Sequence, residues 1–317
     1  MNVGEKVLAP AGLARQGLSR AWRDELTGLA FVSPWVVGFL AFTLFPMIMS
    51  LWLAFTRYDL LTPPRFIGLD NFRQMVADPR FIKAVSVTVR YAVLSVPLKL
   101  AVALLVAMLL AQKLRGVGIY RVAYYLPSLV GSSVAVAIMW RKIFARDGLV
   151  NAVLGLVGIR GPDWLTHPSL ALYTLAGLSA WQFGSSMVIF LAGLKQIPAE
   201  YYEAAAVDGS NRWHMFWRIT LPLLSPVIFF NLVMQTINAF QVFTQGFLIT
   251  NGGPMDETLF YSLYLYQKGF RHFDMGYASA LAWVLLVLIA GVTALIFKST
   301  GRLVYYEAES EEGGQGR

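Results

Sequence analysis

Apolar residues run together in six long stretches of this chain, and polar residues are confined to the short segments between them. A helix that rises 1.5 Å per residue needs about 20 apolar residues to cross a hydrocarbon layer roughly 30 Å thick. The stretches Leu29 to Phe55, Val85 to Ala111, Val122 to Trp140, Leu170 to Leu194, Leu223 to Leu248 and Tyr277 to Phe297 meet that length. They predict an all-α integral membrane protein of six transmembrane helices, with both termini on one side. Pro34, Pro46, Pro97, Pro127 and Pro226 lie inside these stretches. Membrane helices tolerate proline because neighbours re-satisfy the freed backbone groups, and the prolines read as packing kinks.

The segments between the stretches predict smaller elements. "RFIGLDNFRQMVADPRFIKAV", from Arg65, alternates charged and apolar residues at helical spacing, with Asp70 and Asp78 each placed to start a short helix. "GLVNAVLGLVGIRGPDWL", from Gly148, is too short to cross and predicts an interfacial helix anchored by Trp164. "TNGGPMDET", from Thr250, is a helix break. The aromatics that follow it, Phe260, Tyr261, Tyr264, Tyr266 and Phe270, read as an interfacial belt or as a docking surface.

Composition agrees with a membrane location: of 317 residues 57% are hydrophobic and 14% charged, against about 25% charged in an ordinary soluble chain. The net charge of +8 sits between apolar runs, so anionic lipid headgroups are the expected partner and nucleic acid is not. The four cations before the first stretch, Lys6, Arg15, Arg20 and Arg23, favour an uncleaved first span with the amino end inside. Counted over all loops the bias is only thirteen cations on that side to eleven on the other. There is no cysteine, and His167, His214 and His272 have no metal-ligand spacing.

All eighteen acidic residues lie outside the six stretches. A carrier driven by a proton or sodium gradient usually keeps a carboxylate at membrane depth, so that class is disfavoured. No G-x-x-x-x-G-K-[ST] loop occurs, and an energy source is expected on another polypeptide. Two cations do lie in the second stretch: Arg90 and Lys99 either snorkel to the interface or face a watery cavity.

The fifth stretch contains "FFNLVMQTINAFQVFTQGF", with Asn231, Gln235, Asn238, Gln241 and Gln245 interleaved with Phe240 and Phe243. On a regular helix these amides share an arc of roughly 120°. They serve as interhelical glue or as a substrate-facing wall. Amides beside aromatic rings suit a sugar, whose hydroxyls need donors and acceptors and whose C–H faces stack on rings. Trp181 and Gln182, with Ser185, form a second candidate wall in the fourth stretch.

Between the fourth and fifth stretches lies "EYYEAAAVDGSNRWHMFWRITLP", Glu200 to Pro222. Strong helix formers from Ala199 to Val207, a stop at Asp208 and Gly209, and a capping Asn211 predict a helix, a tight turn and a second helix. The small surface of Ala204, Ala205 and Ala206 permits close approach of a partner, and Trp213, Phe216 and Trp217 are anchors of the kind that dominate interfaces.

Glu203, Ala204, Ala205, Gly209, Ile219, Leu221 and Pro222 match without a gap the E-A-A-x3-G-x9-I-x-L-P motif, and the chain resembles the permease subunits of bacterial binding-protein-dependent ABC importers. "FIGLDNF", "YYLPS", "GPDWL", "LKQIPAEYYEAAAVDG", "FQVF", "NGGP" and "FDMGYASAL" extend the resemblance to the sugar-type permeases of the maltose, lactose and glycerol-3-phosphate systems. It implies a type I importer (MetI-like) fold in the bacterial inner membrane, with residues 195–222 a cytoplasmic coupling loop and Glu203 and Gly209 its key contacts. It also implies a cytoplasmic segment at 1–28, a first span at 29–55, an external loop at 56–84, a common transport core at 85–298 and a cytoplasmic tail at 299–317. The implied partners are a second, homologous permease, two copies of an ATPase subunit that bind ATP and Mg, and an extracytoplasmic sugar-binding protein. No enzymatic activity and no cofactor are implied for this chain. The cargo is a mono- or oligosaccharide, with glycerol-3-phosphate or a polyol as the alternative.

Overall fold

The computed structural model describes residues 13–112, 116–131 and 133–300. Residues 1–12 and 301–317 of the two terminal segments, and the cations Lys6, Lys113, Arg115, Arg302 and Arg317, lie outside the described residues. The chain is mostly helical and divides between Leu53 and Ala54 into two compact units.

The first unit is a single helical rod: α1 (Leu13–Phe39), a π-helical turn over Leu40–Leu44, and α2 (Phe45–Leu53). The turn widens where Phe45 N–H reaches the Leu40 carbonyl, one residue before Pro46, which has no N–H to donate. Pro34 lies within α1 without ending it. The apolar run Glu25–Leu53 is long enough to cross a membrane and none of it is buried within the chain. Phe31 and Phe42 are more than four-fifths exposed. A helix apolar all round needs lipid or another protein as its solvent.

The second unit begins with a two-stranded ribbon, β1 (Thr56–Arg57) antiparallel to β2 (Arg65–Phe66), followed by α3 (Asp70–Ala77). Buried Asn71 on α3 donates from Nδ2 to the carbonyls of Ala54 and Thr56, at 2.8 and 2.9 Å, and clamps the ribbon. The central element is α4 (Pro79–Ala111). It starts six residues before the predicted span because Asp78 accepts from Arg80 N–H at 2.9 Å and Pro79 fits the first turn. Asp78 therefore opens a long helix, not the short one expected, and Asp70 gives α3 no side-chain cap.

The third apolar stretch forms α5 (Val117–Val130) and α6 (Val134–Ile143), and α7 (Leu149–Leu156) follows. Trp164, the expected anchor of α7, bonds to it directly: its Nε1 donates to Asn151 Oδ1 at 2.7 Å. The fourth stretch is α8 (Ala171–Trp181) and α9 (Gly184–Gln196), bent by 45°. Then come α10 (Ala199–Val207), α11 (Arg212–Met215), a π turn at Phe216–Thr220 and α12 (Leu221–Leu223). From there α13 (Ser225–Phe240) departs at 66° to the preceding helical segment. A π turn at Gly246–Thr250 precedes α14 (Tyr261–Tyr266), and α15 (Met275–Thr300) ends the described chain. Among the described residues three helices are long and apolar enough to cross a membrane, and three bent pairs qualify if each is one span.

The buried face of α4 is Ala84, Val87, Thr88, Tyr91, Ala92, Ser95, Val96, Leu100, Ala103, Ala107 and Leu110, a helical stripe rich in alanine. Small residues let α8, α9 and α13 pack closely on it, which is how helices associate where the hydrophobic effect gives no drive. Glycine does the same elsewhere. A Cβ at Gly184 would lie 2.7 Å from the Tyr124 carbonyl, and one at Gly193 2.8 Å from Leu224 and Val227.

The aromatics after the 250–258 break are not a surface belt. Phe260, Tyr261 and Tyr264 are buried, with Phe260 edge-on to Tyr91 at 4.9 Å, because α14 packs on α4 and α15. Phe270 alone among the five is exposed.

Candidate functional site

Two places bring chemistry-bearing residues together: a polar cavity among the helices and the 195–222 segment. The cavity is about 120 Å³ and is lined by Tyr91, Ser95 and Lys99 of α4, Ser179 and Gln182 at the α8–α9 break, Gln235 and Asn238 of α13, and Gln245. Its α4 wall is legible in sequence after the fact. Positions 91, 95 and 99 repeat every four residues and so share a helix face.

The break that supplies Gln182 is built by hydrogen bonds rather than proline. Ser128 Oγ donates to the Gln182 carbonyl at 3.1 Å and accepts from Ser185 N–H at 3.2 Å. Gln182 Nε2 in turn donates to the Gly131 carbonyl at 2.7 Å, satisfying a backbone group at the α5–α6 break. Each interrupted helix supplies what the other lacks.

The five amides of the fifth stretch do not form one ladder. Because α13 stops at Phe240, the regular-helix projection fails beyond it. Gln235, Asn238 and Gln245 reach the cavity, where Gln245 Oε1 accepts from Tyr91 Oη at 2.8 Å. Asn231 is fully buried and donates to the Val227 carbonyl of its own helix, and Gln241 lies on an apolar surface groove with Leu286 and Ile289 of α15. Phe240 is a core residue, and Trp181 packs on Trp140 with centroids 6.2 Å apart instead of lining the cavity.

The two membrane cations part company as well. Arg90 is not a snorkelling residue without a partner: its guanidinium meets Glu257 at 3.2 Å, and Lys83 binds the other oxygen of the same carboxylate. Arg80 forms a two-bond pair with Asp256 at 2.9 and 3.0 Å. Hydrogen bonding and charge from Lys83, then Arg90, hold the Glu257 carboxyl below its usual range against the opposing effect of burial. Burial pushes Asp78 up, but hydrogen bonds from Tyr264 and Arg80 N–H and the charge of Lys268 outweigh it, and its carboxyl is lowered. Together these pairs fasten the 251–277 segment to the start of α4. Lys99, by contrast, has no carboxylate partner among the described residues and opens onto the cavity.

In the 195–222 segment, α10 closes with a Schellman turn: Ser210 N–H reaches the Ala205 carbonyl at 2.9 Å and Gly209 N–H that of Ala206 at 3.1 Å. The turn needs Gly209 at φ +76°, and its Cα faces open space. Asn211 Oδ1 then accepts from His214 N–H at 2.8 Å to start α11. Tyr202 and Thr220 bond through their hydroxyls at 2.9 Å, tying α10 to the returning strand of chain. Glu203, Ala204, Gly209 and Pro222 are exposed, and Ala205, Ile219 and Leu221 are half-buried. Trp213, Phe216 and Trp217 form one aromatic group with centroids 5.3–6.2 Å apart, and Trp213 remains 69% exposed.

A bundle of broken membrane helices around a polar cavity, with an exposed helical hairpin between two of them, defines a membrane transport component. The chain belongs to the family described as binding-protein-dependent transport system inner membrane component, which it matches over residues 75–300. It is 54% identical over 293 residues to the probable ABC transporter permease protein YesP of Bacillus subtilis (strain 168), across 91% of this chain and 95% of that protein. It is 35% identical to the lactose transport system permease protein LacF of Rhizobium radiobacter, across 90% and 97% of the two chains. In solved structures it is similar, at a TM-score of 0.77 and 25% identity, to a chain in the crystal structure of a bacterial ABC transporter involved in the import of the acidic polysaccharide alginate. That likeness covers 90% of this chain and 100% of the other.

Proposed function

We propose that this chain is one of two permease subunits in an ATP-driven sugar importer, forming half of the path taken by a saccharide that a binding protein delivers. Its partners are a second, homologous permease, two copies of a cytoplasmic ATPase subunit and an extracytoplasmic sugar-binding protein. Six spans cross the bacterial inner membrane, each bent pair counting as one, with both termini in the cytoplasm. Residues 195–222 form the coupling loop. Glu203 and Gly209 touch the ATPase; Ala204 and Ala205 allow its close approach; Ile219, Leu221 and Pro222 seat the loop on the membrane core. ATP and Mg bind the ATPase, whose closure moves α10 and re-orients the path.

The observation that carries this reading is the exposed α10 hairpin. Val207 is 88% and Trp213 69% exposed on a rigidly capped element, a surface that a soluble partner covers. Saccharide as cargo is supported by the cavity's donors and acceptors at Gln182, Gln235, Asn238 and Gln245, and by relatives named for lactose and alginate. At about 120 Å³ the cavity holds roughly four waters, so this chain supplies one wall, and the path widens against the second permease.

Replacement of Gln235 and Asn238 together by leucine is expected to abolish uptake in cells while the ATPase still co-purifies, whereas Gln241→Leu, outside the cavity, leaves uptake unchanged. Full uptake by the double variant contradicts the assignment of the path.

A further inference from the structure

Lys99 is a lysine deep in the second span, on the wall of a cavity whose other polar groups are neutral hydroxyls and amides. No acidic residue falls within any of the six apolar stretches, and among the described residues every carboxylate that pairs with a cation does so elsewhere. The other three cations of α4, Arg80, Lys83 and Arg90, are matched by Asp256 and Glu257. The contrast matters because an unmatched charge at membrane depth costs about 2.5–3.5 kcal/mol on insertion scales and persists where it serves function.

Lys99 also sits where a ligand would meet it. Tyr91 and Ser95 precede it on the same face by two turns and one turn, and Gln182 of the α8–α9 break and Gln235 of α13 line the same cavity. Hydroxyls and amides suit the hydroxyls of a sugar ring. A single ammonium adds one feature they cannot supply, a full positive charge without an anion inside the protein.

We propose that Lys99 makes the path selective for saccharides that carry a carboxylate, such as uronic-acid oligosaccharides, by meeting that carboxylate during transit. This deepens the importer reading and rests on it. A carboxylate is favoured over a phosphate because one ammonium balances one negative charge, whereas a phosphate monoester carries nearly two and calls for more cations or a helix terminus. The lysine is a flexible point charge rather than a rigid fork, which suits a group that must be released again.

The test uses the whole importer in proteoliposomes, with ATP inside and its own binding protein outside. The probes are digalacturonate, the neutral disaccharide galactobiose and galactose-6-phosphate, each also measured for binding to the binding protein. Wild type is expected to take up digalacturonate in preference to the others. Lys99→Gln is expected to lower that uptake roughly ten- to a hundredfold, the worth of one charge-assisted hydrogen bond. Lys99→Arg should retain it, and both variants should assemble with the wild-type subunit stoichiometry. The proposal is overturned if wild type imports only galactobiose or galactose-6-phosphate, if Lys99→Gln leaves digalacturonate uptake unchanged, or if it depresses all imported probes equally. ATP-dependent uptake of none of the probes, with each bound by the binding protein, would overturn the importer reading itself and this inference with it.

Discussion

Gly209 occupies a backbone conformation that only glycine adopts without strain and has nothing near its missing side chain. Within this chain steric crowding therefore plays no part, and backbone preference decides whether the turn forms. Asparagine, which visits the left-handed region with modest cost, should leave the turn intact. A β-branched valine should disfavour it by about 1–2 kcal/mol and loosen the α10 hairpin. Gly209→Val is expected to lose most ATPase co-purification and uptake, with Gly209→Asn close to wild type. Equal behaviour of the two would show that the turn is not what the partner reads. The capped turn was legible in sequence from Asp208, Gly209 and Asn211 because each acts on its immediate neighbours. The fate of Gln241 was not, since it depends on where α13 ends, nor was that of Asn231, whose burial depends on what packs around α13.

At the scale of the elements, packing is set by close approaches that tolerate no added methyl group. A Cβ at Gly184 would press on the Tyr124 carbonyl and on Tyr125 Cα, backbone atoms that cannot rotate away. Gly184→Ala should destabilise the detergent-solubilised protein by about 1–3 kcal/mol, read as a lowered Tm. Gly155→Ala, with nothing within 4 Å of its Cβ, should leave Tm unchanged or raise it. Similar Tm values for the two variants would contradict the packing account. The ion pairs at the start of α4 add a pH dependence. Asp78 and Glu257 have folded values below their unfolded ones, so their stabilisation is complete above the unfolded range near 4 and is lost as pH falls through the folded values. Tm should drop as pH falls from about 5 to about 2, and Glu257→Gln should flatten part of that drop. An unchanged profile in the variant would remove Glu257 as a cause. Of these elements, the apolar stretches were plain in the hydropathy because length and composition are local. The breaks were hidden: the bend at Gln182 answers to Ser128 and Gly131, more than fifty residues away. Pro97 and Pro127 lie within α4 and α5 without ending them, as tolerated prolines should.

For the whole molecule, the first unit exposes all of its apolar window, and the second carries a small polar cavity walled by α4, α8 and α13 with Gln245 beyond the end of α13. A chain with these surfaces is one part of a larger assembly. In the proposed importer, lipid and a second permease cover the apolar helices, and the ATPase covers the α10 hairpin. The apolar stretches hold no carboxylate, which disfavours coupling to an ion gradient. In the proposed importer energy enters through the exposed hairpin, and the drive is ATP. The most direct measurement is saccharide uptake by the reconstituted assembly in sealed vesicles, with ATP inside and the binding protein outside. The account predicts uptake that requires both and is unaffected when a protonophore and a sodium ionophore collapse the ion gradients. Uptake that persists without ATP, or that stops when the gradients are collapsed, would contradict it.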